Sequence, residues 1–472
     1  MKKTSLVALA LCAGAPLMAG DGPSITFYGV IDAGVAHVQH SLDFSDQFPT
    51  GSNPFPQKST TGATGMFSGG LSQNRVGFKV STDLTDGWKA FLQCETAFNL
   101  TTGVVVNTAQ NLAQNKASVN STAANTNAGV EVSGASALGG QLFNRGAFLG
   151  ISNPTYGSLS IGRQQTLLFD VMPGYDGTGL AQLFTPIGFT GAYIGGGVTD
   201  DSRVDNSVKY RVKTGDVTLA AMYKFGGVSG NTSAKTTEQA SIAWEPGAFG
   251  IVAVYQGYKD ALGTANGPLT TAISATATAA VPLGMINLSA QDTAMTAVCA
   301  RYKGKGWMVA AGWEHVKFSN PSDESTVVGI TTFDGTPVYS VNGSTTANPQ
   351  GTLPYNIAGV GEVDKTQNLY YLSANYDFTP QFTIAGGYYI NKVSDYSGVP
   401  QTAVLSAKNA GNNEYVSLVL QYKWTKAFDF YGGYMHAMNT GGQAVGSLAN
   451  AAGTTSNENV NSVYGVGMRY KF

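Results

Sequence analysis

Apolar and polar side chains alternate with a period of two along the chain from residue 24 to the last residue, in runs of ten to fifteen residues. In the final run Val463, Gly465, Gly467, Arg469 and Lys471 fall on one side, and Tyr464, Val466, Met468, Tyr470 and Phe472 on the other. That period places successive side chains on opposite faces of a β-strand. The runs predict strands at 24–38, 71–82, 87–100, 141–152, 156–165, 203–213, 216–226 and 237–246, and then at 249–259, 292–304, 306–318, 366–378, 381–394, 412–424, 427–440 and 460–472. The count is sixteen, an even number. One such strand suits equally a soluble sandwich, where its apolar face meets a second sheet, and a membrane barrel, where that face meets lipid.

The connections separate the two. Tight turns (TDLTD, NPTYG, KTGD, EPGAFG, KGKG, DFTPQ, WTKAF) alternate with mostly much longer stretches at 39–70, 101–140, 166–202, 227–236, 260–291, 319–365, 395–411 and 440–459. Short turns at one end and long loops at the other are the rhythm of a transmembrane barrel. Trp88 and Trp307 closely follow short turns, and Trp244 and Trp424 closely precede them, so four of the five tryptophans gather at the short-turn end. Amphipathic rings collect there as an interfacial girdle, although core tryptophans at strand ends are the plainer reading.

Composition agrees with a surface that faces something other than water. Charged residues are 12% of the 472, while glycine reaches 60 and Tyr and Phe number 23 and 22; a soluble protein of this size keeps itself wet with more Lys and Glu. Lys2 and Lys3 followed by the apolar run Leu6–Ala19 read as a signal peptide over residues 1–20, leaving 21–472 as the barrel. Cys12 lies in that run, but Leu11 stands where a lipoprotein signal wants a small residue. Loss of the two lysines leaves 25 basic against 29 acidic residues, near −4, which implies no nucleic-acid partner. The most apolar remaining stretch, 271–290, carries Thr, Ser and Pro282 and is a poor spanning helix.

Five runs in order carry a resemblance: ITFYGVIDAGV (25–35), NRVGFKVSTDLTDGWKAFLQCETAF (74–98), FNRGAFLGISNPTYGSLSIGRQ (143–164), RVDNSVKY (203–210) and the closing YGVGMRYKF. Together they resemble the general Gram-negative porins, the trimeric sixteen-stranded diffusion channels, particularly their beta-proteobacterial branch. The resemblance implies an all-β, transmembrane, sixteen-stranded antiparallel barrel in the outer membrane with a third loop, here 166–202, folded into the lumen. It further implies a homotrimer in contact with outer-membrane lipid and lipopolysaccharide, and passage of ions and small hydrophilic solutes. In this family the terminal aromatic and the apolar residues at alternate positions before it are read by the barrel-assembly machinery, a pattern that Tyr464, Val466, Met468, Tyr470 and Phe472 fit.

A pore's chemistry lies where low-dielectric walls concentrate the field of fixed charges. Alternation puts Arg75 and Lys79 on the lumen side, opposite Val76, Phe78 and Val80, and likewise Arg203, Asp205, Lys209 and Arg211 opposite Val204, Val208, Tyr210 and Val212. Arg145 is placed at the constriction by resemblance, because its strand is apolar on both faces. The resemblance also sets the early acids of the third loop, Asp170 and Asp176, opposite this basic wall, and the expected result is a weak anion preference. The plainer alternative is that these arginines only pair with neighbours such as Glu95 or Asp205. Arg163 shares parity with Leu159 and Ile161 and is left outside the site.

Catalysis has little to stand on, since no Ser/His/acid arrangement shows suggestive spacing among His37, His40, His315 and His436, and three of these face outward by parity. No CxxC or HxH motif occurs, Asp200, Asp201 and Asp205 read as a solvated loop edge, and no metal or cofactor is implied. Cys94 reads outward and Cys299 inward, against a disulfide. Gly29 and Ala33 on the first strand, with Gly146 and Gly150 on the fourth, are read as small outward positions that let barrels pack closely. A general diffusion porin, a substrate-selective channel with the roomy 319–365 loop and many tyrosines, and a secreted β-rich binding protein remain the three readings. An N-terminal plug is excluded, because the first strand starts almost directly after the signal.

Overall fold

The computed structural model describes residues 22–40, 63–101, 103, 105, 142–187, 202–227, 230, 232–233, 236–259, 292–319, 332–333, 336–337, 365–394, 411–441 and 458–472. The signal-peptide reading of residues 1–20 lies outside them, as do most residues of the long connections. In chain order the strands are β1 (Ser24–His40), β2 (Ala63–Ser68), β3 (Arg75–Asp83), β4 (Lys89–Ala97), β5 (Gly146–Asn153) and β6 (Gly157–Gln165), followed by the short helix α1 (Leu167–Val171). Then come β7 (Arg203–Thr214), β8 (Val217–Lys224), β9 (Thr237–Trp244), β10 (Phe249–Tyr258), β11 (Asp292–Gly304) and β12 (Trp307–Ser319). A two-residue hairpin, β13 (Thr332–Phe333) and β14 (Thr336–Pro337), precedes β15 (Lys365–Asp377), β16 (Phe382–Val393), β17 (Gly411–Lys423), β18 (Phe428–Gly441) and β19 (Glu458–Lys471).

All strands but the hairpin join one antiparallel sheet, which β1 closes by pairing with β19 from Val30↔Lys471 to His40↔Asn461. On its other edge β1 pairs with β3 through residues 24–30 and with β2 through 33–38. The second stave of the barrel is thus made of two pieces, and the described strands form sixteen staves, as the alternation predicts. The interruption at 69–74 was not predicted; the pattern gave one strand at 71–82 and placed 63–68 in a loop. Its cause is Asp32, a fully buried carboxylate on β1 that accepts the backbone N–H groups of Gly70 (3.0 Å), Leu71 (2.9 Å) and Ser72 (2.8 Å). Those donors serve a side chain in place of a ladder. Asn74 closes the gap by bonding both the backbone N–H and the carbonyl of Asp32.

Short turns follow their sequence. Gly215, at φ +57, supplies the left-handed first position of the two-residue link between Thr214 and Val217. Outside, Leu149, Ile161, Leu372 and Val466 are exposed, as lipid-facing side chains are. Rings cluster at the short-turn end: Trp88 stacks on Tyr156, Trp244 meets Phe249 edge-on, Tyr302 lies against Trp307, and Trp424 contacts both Phe428 and Phe430. This belt is the girdle that four of the tryptophans predicted. The fifth, Trp313, sits on the outer face with His315.

Phe472 ends the chain at this belt. Its backbone exchanges hydrogen bonds with Gly29 (2.9 and 3.2 Å), and its ring, stacked on Tyr470, covers the side of Gly29 where any side chain would collide with it. Deleting Phe472 removes the last rung of the closing seam and leaves the lumen untouched. The expected outcome is a several-fold loss of assembled protein in the outer membrane with unchanged single-channel conductance in the barrels that form. Normal yield with altered conductance would contradict the face assigned to this residue.

The packed core lies inside the barrel. Leu167, Leu168, Met172, Tyr175, Phe184 and Ile187 of the segment after β6 are buried against inward side chains of β9–β12 and β15–β18. Burying each such side chain is worth about 1.5–3 kcal/mol, which is why this loop lies on the wall.

Candidate functional site

The loop begins at Thr166 and follows the wall. Leu167 N–H donates to Gln239 of β9 (2.9 Å), Gly177 N–H to Ser373 of β15 (2.8 Å), and Leu183 N–H to the Gly70 carbonyl (2.9 Å). Further along, Phe184 meets Phe67 and Tyr431 edge-on. Among the described residues the loop therefore covers the lumen wall from β9 to β18, reaches β7 through α1, and does not lie on β3–β6.

The basic residues sit on that side, Arg203 and Lys209 of β7 beneath α1. Arg75 points inward from β3 with its guanidinium 3.7 Å from Glu95. Lys79, exposed, lies four residues closer to the short turns with its ammonium 5.1 Å from the centroid of the Tyr28 ring. Arg145, just before β5, is buried and donates to Glu95 and to Gln73. Glu95 also accepts the Tyr28 hydroxyl at 2.8 Å. Arg203 is fully buried, its guanidinium 4.8 Å from the Phe169 ring of α1, with Nη1 bonded to Ser202 (3.0 Å) and Nε and Nη2 without a hydrogen-bond partner among the described residues. Its charged neighbours among the described residues include Arg145, Arg163, Glu95 and Arg75. Lys209 pairs with Asp170 of α1 at 2.7 Å.

The structure thus brings Arg75, Lys79, Arg145, Arg203, Lys209 and Asp170 to one wall, and does not bring Asp176 there. Asp176 is buried on the opposite side, where it accepts the Tyr389 hydroxyl (3.0 Å), the Leu180 N–H (2.9 Å) and the Thr178 hydroxyl. Sequence gives the sign of a loop residue but not which side of the loop it occupies. Arg203 is also not in open solvent as expected, because α1 lies over it. Arg163, excluded by parity, belongs with the cluster: it donates to the Asn144 carbonyl (2.9 and 2.7 Å) and pairs with Asp205 (2.7 Å). Parity fails here because Gly162 has φ +130, the register shifts between Gly162 and Gln164, and Asn206 is left-handed at φ +49. Among the described residues the cluster holds six bases (Arg75, Lys79, Arg145, Arg163, Arg203, Lys209) against three carboxylates (Glu95, Asp170, Asp205).

On the covered side one more cation was missed. Arg301 of β11 stacks on the Tyr175 ring at 4.5 Å and pairs with Glu245 at 2.6 Å, while Tyr175 donates its hydroxyl to Glu245 (3.1 Å). Burial, and then the adjacent carboxylate of Glu245, raise the Tyr175 phenol well above its ordinary range. His37, His315 and His436 face outward and bond Thr64, Asn368 and Ser462. No group of three or more potential metal ligands occurs among the described residues, and Asp200 and Asp201 lie outside them. Cys94 and Cys299 are both free.

Gly146 and Gly150 correct the packing surface expected of β5. They pair with Glu95 and Phe91, so they face the lumen, while Ala147, Leu149 and Ile151 face out. Gly29 and Ala33 face out, but the Phe472 ring of the same chain covers Gly29.

A closed sixteen-stave barrel with a lipid-facing exterior, an aromatic girdle, a loop laid along the lumen and an excess of bases on the opposite wall is a transmembrane barrel of the bacterial outer membrane. The chain belongs to the Gram-negative porin family, whose model matches residues 5–442. It is 28% identical over 279 residues to an outer membrane porin protein of Bordetella pertussis, an alignment covering 58% of this chain and 59% of that one, so it spans less than two thirds of this relative's length. By fold it is similar to the anion-selective porin from Comamonas acidovorans (TM-score 0.56, 16% identity, 96% of this chain and 100% of the other). The trimer form of OmpT, an outer membrane protein of Vibrio cholerae, is also similar (TM-score 0.53, 12% identity, 96% and 100%).

Proposed function

We propose that the barrel is a water-filled outer-membrane channel for passive diffusion of ions and small hydrophilic solutes, with a weak preference for anions. The observation that carries this reading is the wall opposite the loop, where six bases meet three carboxylates and where Lys79 and Arg75 reach the open lumen. Screening limits the effect of such charges to roughly 8–10 Å at physiological salt, so the preference is weak. The name of the Comamonas protein, anion-selective, supports the sign. The alternative of a substrate-selective channel drew on the many tyrosines, yet Tyr371, Tyr389, Tyr415 and Tyr431 are buried along the covered wall.

The proposal extends to a homotrimer, for which the trimer form of the Vibrio protein and the small outward Ala33 are the support, and to a signal peptide at 1–20 that exports the barrel. Contacts with lipopolysaccharide and with the assembly machinery, through Tyr464, Val466, Met468, Tyr470 and Phe472, belong to it as well. It assigns the lumen no catalytic role.

Liposome swelling with neutral sugars of increasing size tests the reading. Influx should fall smoothly with size and show no saturation. Saturable block of the current by one solute would favour the selective channel instead.

A further inference from the structure

The segment from Gly174 to Gly177 is fixed to the wall group by group. Arg301 Nη1 donates to the Gly174 carbonyl (2.8 Å), the Tyr371 hydroxyl to the Tyr175 carbonyl (2.7 Å), and Asn375 to the Gly177 carbonyl (2.9 Å). A side chain on Gly177 would collide with the backbone of Ala374, so the loop lies flush on β15. The last two anchors are neutral, and Asp176 between them takes the Tyr389 hydroxyl (3.0 Å). Arg301 differs: one guanidinium holds the Gly174 carbonyl, stacks on the Tyr175 ring, and is itself fixed by Glu245, which also takes the Tyr175 hydroxyl. Charge-assisted bonds and a partly desolvated cation–π contact are the stronger kinds of contact in such a set. Met172 next to this anchor covers the thiol of Cys299, with the two sulfurs 3.8 Å apart.

We infer that Arg301, oriented by Glu245, is a positioning residue that holds the lumen loop against β10–β16 and so confines the permeation path to the basic wall. Without it the loop lifts at Gly174–Tyr175, Met172 leaves Cys299, and a second path opens along the tyrosine-lined wall. Ions taking that path pass farther from Arg75 and Lys79. Conductance then rises and anion preference falls. The inference rests on the channel reading above.

Cys299 is a built-in reporter, since it faces the lumen beneath the loop while Cys94 faces outward. In a Cys94→Ala background, Arg301→Ala should speed modification of Cys299 by a charged, membrane-impermeant methanethiosulfonate by about tenfold, the factor that about 1.4 kcal/mol of lost docking gives. The same folded channels should show higher single-channel conductance and a zero-current potential nearer zero. Should Arg301→Ala not assemble, Arg301→Gln, which keeps one neutral donor for Gly174, carries the same test. Tyr175→Phe keeps the stack and should label slowly, as the parent does. Folded Arg301 variants with the labelling rate and conductance of the parent would overturn the inference. A parent that does not conduct would instead overturn the channel reading, and thiol labelling would still report whether Arg301 holds the loop.

Discussion

Replacing Asp32 by alanine is expected to abolish nearly all folded, heat-modifiable protein. Asp32 accepts three backbone N–H groups across the break between β2 and β3 and the hydroxyl of Tyr431 from across the seam. The same break carries the Gly70 carbonyl that receives Leu183, and Tyr431 packs on Phe184, so the residue joins the stave, the closing strands and the lumen loop at Leu183–Phe184. Each buried donor left without an acceptor costs about 1–3 kcal/mol. Four lost together approach the ~5–15 kcal/mol by which folded proteins are typically stable. Asp32→Asn keeps one acceptor oxygen but turns an amide NH2 toward groups that are themselves donors, so its yield should fall between the two. Refolding yield and the temperature of conversion to the heat-denatured gel form measure the effect. A wild-type conversion temperature for Asp32→Ala would show that the break is held by something else.

The second large effect concerns charge. Reversing both Lys79 and Arg75 to glutamate moves the described cluster from six bases against three carboxylates to four against five. These are the two positions to choose, since Arg203, Arg145 and Arg163 are buried and act on the lumen only through the field. The double variant should prefer cations, with the shift growing in dilute salt as the screening length rises from ~10 Å at 0.1 M to ~30 Å at 0.01 M. Arg75→Glu places a carboxylate beside Glu95, so Lys79→Glu alone is the milder variant and should move the zero-current potential in the same direction by less. A potential that ignores both substitutions would show that the current does not pass this wall.

Much of the barrel was legible in the sequence because lipid on one side and water on the other enforce a strict period of two, and Tyr464, Val466, Met468 and Tyr470 all lie on the face that parity gave them. The period fails where the backbone departs from a regular strand. The break after Ser68 depends on Asp32, which in sequence is one more polar residue on a lumen face. Arg163 was lost to a register shift at Gly162, a glycine whose φ no alternation reports. Gly146 and Gly150 were misplaced because Phe91 and Phe148 project into the lumen and make both faces of that hairpin apolar. Arg145 came from family resemblance alone. Asp176 and Arg301 show the remaining gap, since both take their places from a loop laid along the wall, and contacts between residues more than a hundred positions apart leave no local pattern.

The central claim, a water-filled channel whose ion preference is set by the wall the loop leaves open, is tested most directly by the zero-current potential of the wild-type protein in a potassium chloride gradient, a salt whose ions have nearly equal mobility. The account predicts a potential with the sign of anion preference that grows as the mean salt concentration is lowered. A potential of the opposite sign, or one that does not change on dilution, would contradict it.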